Sequence, residues 1–402
     1  MVFDVNAARS RYAALADGSA RFDGAAGTLV ADAVADAVAS TLRAGVANRT
    51  SAFAAGRQSV AIVDAARAAV GDLLGAEPDG VVFGPSATAL TYMVARTLAQ
   101  SWRAGDEIVL SQLDHDANVR PWLQVAEGAG VTVRWASVNL VSGALPTGQF
   151  VDLVNSRTRL VAVTAASNVA GSRPDVRTIA AIAHRAGALC YVDGVHATPH
   201  LPIDVAALGA DFYVTSAYKW SGPHIAACVA APQTWEGLRP QKLLASSDVV
   251  PDRFEFGTPS FELLAGVTAA VDHLAALGGS DAGGSRRAQL IASMTAIHAY
   301  EAYVFAELLD GLSDIPGIWL CPADGPRCPT VSFRLAGQSP AHTAEALGRQ
   351  DICTFAGDYY AVEYFTALGL RADGGAVRAS IYHYNTVAEV HRLVAAVRML
   401  AT

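Results

Sequence analysis

The sequence has very little lysine. Of its 29 lysine and arginine residues, only Lys219 and Lys242 are lysines. Either residue type supplies surface charge, but a guanidinium stays protonated and cannot attack a carbonyl, whereas a lysine amine can. Lys219, within TSAYKWSGPH at 215–224, is therefore either a chance survivor of a biased composition or a residue used for nitrogen chemistry. The residues around it have to decide.

Charged residues, cysteines and long apolar runs are also scarce. The 402 residues include 16% charged residues, carry a net charge of −8 and contain no basic run, so nucleic acid is not an expected partner. No apolar run approaches about 18 residues, and the N-terminus MVFDVNAARSRYAAL lacks a signal peptide's apolar core, so we expect neither a membrane partner nor export. Five scattered cysteines without a C-x-x-C pair favour a cytoplasmic location and argue against disulfides or structural zinc.

Hydrophobic residues, by contrast, are abundant. They make up 52% of the chain, enough for a large core and a rather apolar surface, which favours an oligomer. The length predicts two or three domains, or one large domain with a smaller one.

Short apolar runs alternate with amphipathic segments through the first two thirds of the chain, the pattern of an α/β protein. We predict strands at 80–84, 106–111, 131–137, 159–167, 188–194, 211–217 and 225–231, with helices at 59–75, 86–101 and 175–186. This pattern predicts a mostly parallel sheet with helices on both faces.

The pattern changes towards the C-terminus. We predict long helices at 260–277 and 286–312, separated by the Gly-rich stretch 278–285, which we interpret as a hinge or surface loop. Four short strands follow, in GIWLCPA, PTVSFRLAG, ICTFAG and AVRASIYHYN, interleaved with helices 340–349, 359–369 and 386–400. These elements predict a smaller α+β domain.

Polar residues follow the predicted strands where each strand ends, the position at which open α/β sheets bind ligands. Successive strands are followed by GPSATAL, by His115, by Asn168, by Asp193 with His196, and by Ser216, Tyr218 and Lys219. A buried carboxylate such as Asp193 requires a cationic partner, and a helix N-terminus attracts phosphate. Pyridoxal 5'-phosphate matches the set, because it offers an aldehyde for lysine, a ring nitrogen for aspartate and a phosphate for the helix.

At these residues the chain resembles the class V aminotransferases, especially their cysteine-desulfurase-like branch. The resemblance rests on YVDGVHATPHLPIDVAALGADFYVTSAYKWSGPHIAA and, in the same order as in the family, on FDGAAGT, GPSATAL, LDHDANVRPW, RFEFGTPS and AVRASIYHYNTVAEVHRLV. It implies a pyridoxal-phosphate-dependent transferase of fold type I. A large cofactor-binding domain at 21–280 and a small domain at 281–402 are expected, with an N-terminal segment, 1–20, packed on the small domain.

The resemblance also implies roles for individual residues. The implied catalytic residues are Lys219, which would form the Schiff base and move protons at Cα, Asp193 at the pyridine nitrogen and His115 on the ring face. Further cofactor contacts would come from His196, Asn168, Ser86, Ala87, Thr88, Ser216 and Tyr218. Thr258 would reach the phosphate of a partner subunit's cofactor, which implies a homodimer with shared sites. Arg378 would bind the carboxylate of a small amino-acid substrate, with Asp358 and Tyr360 nearby.

The match breaks at one loop. Cysteine desulfurases of this branch carry approximately R-x-G-H-H-C-A there, whereas this chain has FAGDYYA at 355–361. Phe355 replaces the arginine, and Tyr360, which cannot take a persulfide, replaces the cysteine. Cys353 lies nearby but is expected inside a strand, and the other cysteines are interpreted as core residues.

Several functions therefore stay open. Transamination, epimerisation and β-elimination each follow Cα deprotonation, and a desulfurase with a non-standard sulfur acceptor is a further alternative. A catalytically silent binding protein on the same fold and a metal hydrolase built on Asp193, His196 and His115 are the alternatives from other classes. Lys242 is interpreted as a surface lysine and, less favoured, as an anion contact.

Overall fold

The computed structural model describes residues 3–278 and 284–401. The strands are β1 Ala20–Arg21, β2 Val81–Gly84, β3 Glu107–Ser111, β4 Thr132–Ala136, β5 Thr158–Thr164, β6 Leu189–Asp193, β7 Phe212–Ser216, β8 Ala226–Val229, β9 Ile318–Leu320, β10 Thr330–Leu335, β11 Ile352–Cys353, β12 Phe355–Gly357 and β13 Ala376–Ser380. The α-helices are α1 Val5–Arg9, α2 Asp32–Ala44, α3 Ala54–Leu74, α4 Ala87–Ala99, α5 Arg120–Ala129, α6 Gln149–Leu153, α7 Val176–Arg185, α8 Val205–Leu208, α9 Pro232–Glu236, α10 Phe261–Ala276, α11 Arg286–Ser313, α12 Pro340–Gly348, α13 Val362–Ala367 and α14 Val387–Leu400. Residues 279–283, most of the predicted hinge or surface loop, lie outside the described residues, as does the predicted domain boundary at 280–281.

A large sheet of seven strands has the order β2-β8-β7-β6-β5-β3-β4. The five strands from β7 to β4 in that order are parallel, while β8 runs antiparallel to both β7 and β2. Alternate side chains enter two separate core clusters, with Ile108 and Leu110 on one face and Val109 on the other. Because both faces are buried, the strands read as continuous apolar runs. The predicted mostly parallel α/β sheet is confirmed.

A smaller antiparallel sheet has the order β12-β13-β10-β9. Its apolar face packs against α11 and α14, where Val304, Leu308 and Leu393 are buried with Phe333 and Val377. The ICTFAG segment, predicted as one strand, is divided. Its first half, β11, pairs in parallel with β1, and its second half, β12, pairs with β13. Cys353 lies in β11, inside a strand as predicted.

The predicted helix at 359–369 is wrong at its start, because α13 begins at Val362. Tyr359 and Tyr360 have φ angles of 50° and 59°, in the left-handed region. The Asp358 side chain accepts a hydrogen bond from the Tyr360 N–H (3.1 Å), and the Asp358 carbonyl accepts one from the Ala361 N–H (2.7 Å). These local bonds replace a first helical turn.

The parallel strands place their carboxyl ends side by side. Asp193, the last residue of β6, lies opposite Thr164 of β5 and Val214 of β7. Residues that follow these strands therefore meet at one edge of the large sheet. Within 3–278 and 284–401, none of the helices combines the length and apolar character needed to cross a bilayer. The predicted bounds of the two domains and the N-terminal segment stay predictions.

Candidate active site

A cavity of about 490 Å³ lies at the carboxyl edge of the large sheet, beneath the loop that contains β12. It brings together most of the candidate site residues, namely Ser86, Ala87, Thr88, His115, Asn168, Asp193, His196, Ser216, Tyr218, Lys219, Asp358, Tyr360 and Arg378. Phe355, which stands where the related enzymes have arginine, lines it as well. These residues come from both sheets, and the site exists only in the folded chain.

Lys219 ends the short 3₁₀ turn Ala217–Lys219 that follows β7. Its amine is buried, donates a hydrogen bond to the carbonyl of Ala25 and lies 5.0 Å from the centroid of the Tyr218 ring. Burial, together with the nearby charge of Arg378, lowers the pKa of Lys219 to about 7, against partial compensation by Asp193. Near neutral pH, a large fraction of this amine is therefore an uncharged nucleophile.

Asp193 is buried at the end of β6, where its Oδ1 accepts a hydrogen bond from the N–H of Val195 (2.9 Å). Burial raises the pKa of Asp193 to about 6. A buried carboxylate with one backbone donor has spare acceptor capacity. It can therefore bind a protonated ring nitrogen.

The two candidate histidines use one ring nitrogen each. Nδ1 of His115 accepts a hydrogen bond from the N–H of Ala117 (3.0 Å), so Nε2 carries the proton of the neutral ring. Burial lowers the pKa of His115 to about 4, with further lowering by Lys219. Nε2 of His196 lies 3.0 Å from the hydroxyl of Thr330, and burial lowers its pKa well below the ordinary value. Both rings are neutral at pH 7.

The N-terminus of α4 opens onto the same cavity. Ser86 is its N-cap, and the Ser86 hydroxyl accepts a hydrogen bond from the N–H of Ala89 (3.1 Å). The N–H groups of Ala87 and Thr88 have no acceptor earlier in the helix. With the positive end of the helix dipole, they form a ready anion site. Ser216, at the end of β7, is buried and lines the same cavity.

Arg378 reaches the cavity from β13 of the small sheet. Its guanidinium is buried, donates a hydrogen bond to the carbonyl of Asn168 (3.0 Å) and lies over the ring of Tyr359. Burial lowers the pKa of Arg378 to about 10, so it stays charged. Nδ2 of Asn168 donates to the carbonyl of Tyr359 (2.9 Å), while its buried Oδ1 has no hydrogen-bond partner.

The loop over the cavity is fixed by contacts with residues that do not line the cavity. Asp358 forms an ion pair with Arg371 (3.0 Å), and the carbonyl of Tyr360 accepts a hydrogen bond from the N–H of Asp116 (2.7 Å). The ring of Tyr360 is exposed and its centroid lies 5.4 Å from that of His115. The predicted substrate residues Asp358 and Tyr360 thus line the cavity, but the Asp358 carboxylate already has a cationic partner.

Two residues singled out in the sequence lie away from this cavity. Thr258 lines a second cavity of about 500 Å³ with Phe83, Phe256 and Leu263. Its predicted role concerns a partner subunit's cofactor and stays a prediction. Lys242 pairs with Asp248 (3.0 Å) and donates to the carbonyl of Ser246, and its side chain is mostly buried rather than extended into solvent as a surface lysine would be.

The described parts of the chain contain no cluster of three or more histidine, cysteine or acidic side chains arranged to hold a metal ion. Asp193, His196 and His115 therefore do not form a metal centre, which argues against the metal hydrolase. The Ala25 carbonyl was not predicted from the sequence, and Tyr359 was expected only to shape the pocket, without a contact to Arg378. Ala25 lies within the quoted FDGAAGT motif, but a backbone acceptor leaves no mark in side-chain chemistry. Tyr359 was hidden within a predicted helix.

The donor set fits pyridoxal 5'-phosphate. Among the described residues, no ion pair satisfies Lys219, Asp193 or Arg378, although all three are buried in one cavity. Unpaired buried charges are costly, so they call for a ligand with complementary groups. The orphaned Oδ1 of Asn168 and the free N–H groups of α4 add a hydrogen-bond acceptor and an anion site.

Comparisons with known proteins agree with this chemistry. The family model for class V aminotransferases matches residues 21–393. A Mycobacterium tuberculosis protein named "Uncharacterized protein MT3887" is 36% identical over the full length of both chains. A probable cysteine desulfurase of Mycolicibacterium paratuberculosis is 32% identical over 84% of this chain and 48% of its own length. The crystal structure of the Escherichia coli cysteine desulfurase CsdA superposes with a TM-score of 0.86 at 27% identity, covering 99% of this chain and 98% of that one.

These matches confirm the predicted family, the pyridoxal-phosphate fold of type I and the class of enzyme. The family is dependent on pyridoxal phosphate, a group that fits the unpaired side chains of the cavity. The chain belongs to the class V aminotransferase family.

Proposed function

We propose that this protein binds pyridoxal 5'-phosphate through Lys219 and acts at Cα or Cβ of a small amino acid, without the loop cysteine of standard cysteine desulfurases. The observation that carries the proposal is the grouping of Lys219, Asp193 and Arg378, three buried ionisable groups that line one cavity and lack ion-pair partners among the described residues. An amino acid and this cofactor together offer the groups that these side chains lack.

Pyridoxal phosphate, when bound, supplies an aldehyde that captures amines and a ring that accepts electrons from a carbanion at Cα. Lys219 is suited to bind the aldehyde, since its pKa of about 7 leaves the amine partly unprotonated. Asp193 would hold the proton on the ring nitrogen, and the neutral His115 can lie against the ring without adding charge. The N–H groups at the start of α4, with Ser216, would bind the phosphate.

Arg378 is the residue best suited to bind the substrate carboxylate. Its guanidinium is charged, buried and bonded to one backbone carbonyl, which leaves N–H donors for a bidentate contact. The Lys219 amine, which lines the same cavity, could take a proton from the substrate Cα and return it. A group with a pKa near the working pH is efficient in both directions.

The cysteines favour reactions other than desulfuration. Cys190, Cys228, Cys321 and Cys328 are buried, and burial raises the pKa of each. Cys353 is partly buried in β11, its pKa is also raised, and it does not line the cavity. Transamination, epimerisation and β-elimination therefore come first. The relatives named cysteine desulfurase keep desulfuration with a non-standard acceptor as the second candidate.

The proposal includes a homodimer in which Thr258 reaches the partner's cofactor phosphate. The second cavity beside Thr258, with the exposed Phe256 at its edge, supports an apolar contact there. The scattered cysteines, all free thiols, support the expected cytoplasmic location.

A test begins with the purified protein and added cofactor. We expect a visible absorption band that Lys219→Ala abolishes, and changes in that band when amino acids are added. Products are then assigned by Cα proton exchange in D₂O, keto-acid formation and sulfide release. A protein that gains no band would sink the proposal, and a band that no amino acid perturbs would favour the silent binding protein.

A further inference from the structure

Two exposed aromatic side chains lie on the loop over the cavity. Phe355 and Tyr360 lie at the two ends of the loop and are 50% and 69% exposed. Ala356 and Gly357 lie between them, and all four residues line the cavity. Exposed aromatic rings beside a ligand cavity are unfavourable in water and gain from contact with an apolar ligand.

The ionisable groups that line the cavity are each already engaged by another group or held neutral. Lys219, Asp193 and Arg378 are used by the cofactor and the substrate carboxylate under the proposed function. Asp358 is paired with Arg371, so its charge is satisfied. His196 contacts Thr330 and is held neutral by burial. His115 is neutral as well. A charged substrate side chain would therefore find no unpaired counter-ion among these groups, because the one remaining carboxylate, Asp358, is shared with Arg371.

The sheet register sets where a substrate side chain would go. Phe355 of β12 lies directly opposite Arg378 of β13 in the antiparallel ladder. Directly opposite residues project from the same face of a sheet, so the side chains of Phe355 and Arg378 leave the small sheet on the same face, and both line the cavity. The ring of Tyr360, on the same loop, lies next to that of His115, with 5.4 Å between the ring centroids. A carboxylate bound by Arg378 would thus place the rest of the amino acid in a cavity that both aromatic rings line.

We infer that the preferred substrate is an α-amino acid whose side chain is uncharged, apolar and large enough to contact Phe355 and Tyr360. The inference rests on the proposed function, because it assumes that an amino acid occupies this cavity with its carboxylate at Arg378. It assigns specificity to the loop residues that replace the arginine and cysteine of related enzymes.

The inference is tested by measuring how tightly amino acids bind to the cofactor-loaded protein. Binding is monitored by calorimetry and by changes in the visible absorption band. The probes are phenylalanine, leucine, alanine, cysteine, aspartate and lysine. Phenylalanine and leucine are expected to half-saturate at a concentration at least about ten-fold lower than aspartate and lysine. Phe355→Ala is expected to raise the half-saturating concentration of phenylalanine about ten-fold and to leave that of alanine nearly unchanged.

Tyr360→Ala provides a second variant, and Tyr303→Ala provides a matched control. Tyr303 lies on α11, is 56% exposed and lines neither large cavity. Its replacement should therefore leave the binding of every amino acid unchanged. Aspartate or lysine binding as tightly as phenylalanine would overturn the inference. The inference would also be overturned if Phe355→Ala weakened the binding of alanine and of phenylalanine by the same factor. Both results leave the proposed function standing, whereas binding of no amino acid at all defeats the proposed function itself.

Discussion

The Cζ atom of Arg378 lies 4.4 Å from the centroid of the Tyr359 ring. The two residues belong to different elements, since Arg378 is in β13 and Tyr359 is in the left-handed turn before α13. The Tyr359 hydroxyl donates to the Ala376 carbonyl, and the Tyr359 carbonyl accepts from Asn168. Tyr359 therefore holds the guanidinium from one side and fixes the loop from the other.

Replacing Tyr359 by leucine should weaken binding of the substrate carboxylate. A buried cation–π contact contributes about 2 kcal/mol, so KM is expected to rise at least ten-fold while kcat changes less. Tyr359→Phe keeps the ring and should retain most of the affinity. The amine that lacks the substrate's carboxylate serves as the control ligand, and its binding should be nearly unaffected. If Tyr359→Leu weakened binding of this control amine as much as binding of the substrate, the role of Tyr359 would be purely structural.

Lys219→Arg should keep a positive charge and lose covalent capture of the cofactor. We expect no visible band and, after borohydride reduction, no cofactor adduct on the chain by mass spectrometry. Lys242→Arg is the matched control, because Lys242 is paired with Asp248 away from the cavity. With only two lysines in the chain, the adduct is assigned without ambiguity. An adduct retained in Lys219→Arg and lost in Lys242→Arg would reverse the assignment.

Capture of the cofactor by the apo protein should depend on pH through Lys219. Burial lowers the pKa of this amine from 10.5 to about 7, so the reactive neutral form is lost as pH falls below 7. The capture rate is expected to rise with pH up to about 7 and to level off above it. N-acetyl-lysine amide is the control, since the rate with an exposed amine should keep rising towards about pH 10. A protein rate that follows the control would contradict a lowered pKa.

Cys353→Ser should leave any release of sulfide from cysteine unchanged. The thiol is partly buried in β11, burial raises its pKa, and it does not line the cavity, so it is a poor nucleophile. Sulfide is measured with a reductant present, and unchanged thermal unfolding shows that the variant is folded. A fall of about ten-fold or more in the rate would identify Cys353 as the sulfur acceptor.

Gly375→Ala should destabilise the loop over the cavity. Gly375 has a φ of +69°, and an added Cβ would lie 2.0 Å from the carbonyl oxygen of Gly357 in β12. Gly369→Ala is a matched control, because Gly369 has a φ of +70° with no atom within 4 Å of the added Cβ. The control should lose about 1 kcal/mol of unfolding free energy from backbone strain alone. Gly375→Ala should lose about 1–3 kcal/mol more from the clash, as measured by urea denaturation. Equal losses would show that the β12 loop moves aside freely.

The strands and the site edge of the large sheet could be predicted from the sequence for a physical reason. Strands buried on both faces are continuous apolar runs, and polar residues at their carboxyl ends, such as Asp193 and Lys219, must meet at one edge. Local patterns contain this information. The family resemblance added Arg378, which no local pattern connects to the large sheet.

Other features could not be predicted, because they depend on pairing between distant segments or on backbone groups. β1 is two residues long and exists because it pairs with β11, which lies far away in the sequence. The same pairing divides ICTFAG into two strands, since β11 pairs with β1 and β12 pairs with β13. The turn at Tyr359 has helix-compatible residues and is fixed by contacts with Asn168 and Ala376. The hydrogen bond from Lys219 to the Ala25 carbonyl involves no distinctive side chain at its acceptor.

The cavity takes Lys219 from the large sheet and Arg378 from the small one, so a single occupant touches both. A ligand that binds only the folded chain raises its stability by mass action. An amino acid that is bound at both ends would also couple the two sheets, because it would contact residues from each of them at the same time. Separate loosening of either sheet would then require release of the ligand, and the occupied protein should unfold more cooperatively than the empty one.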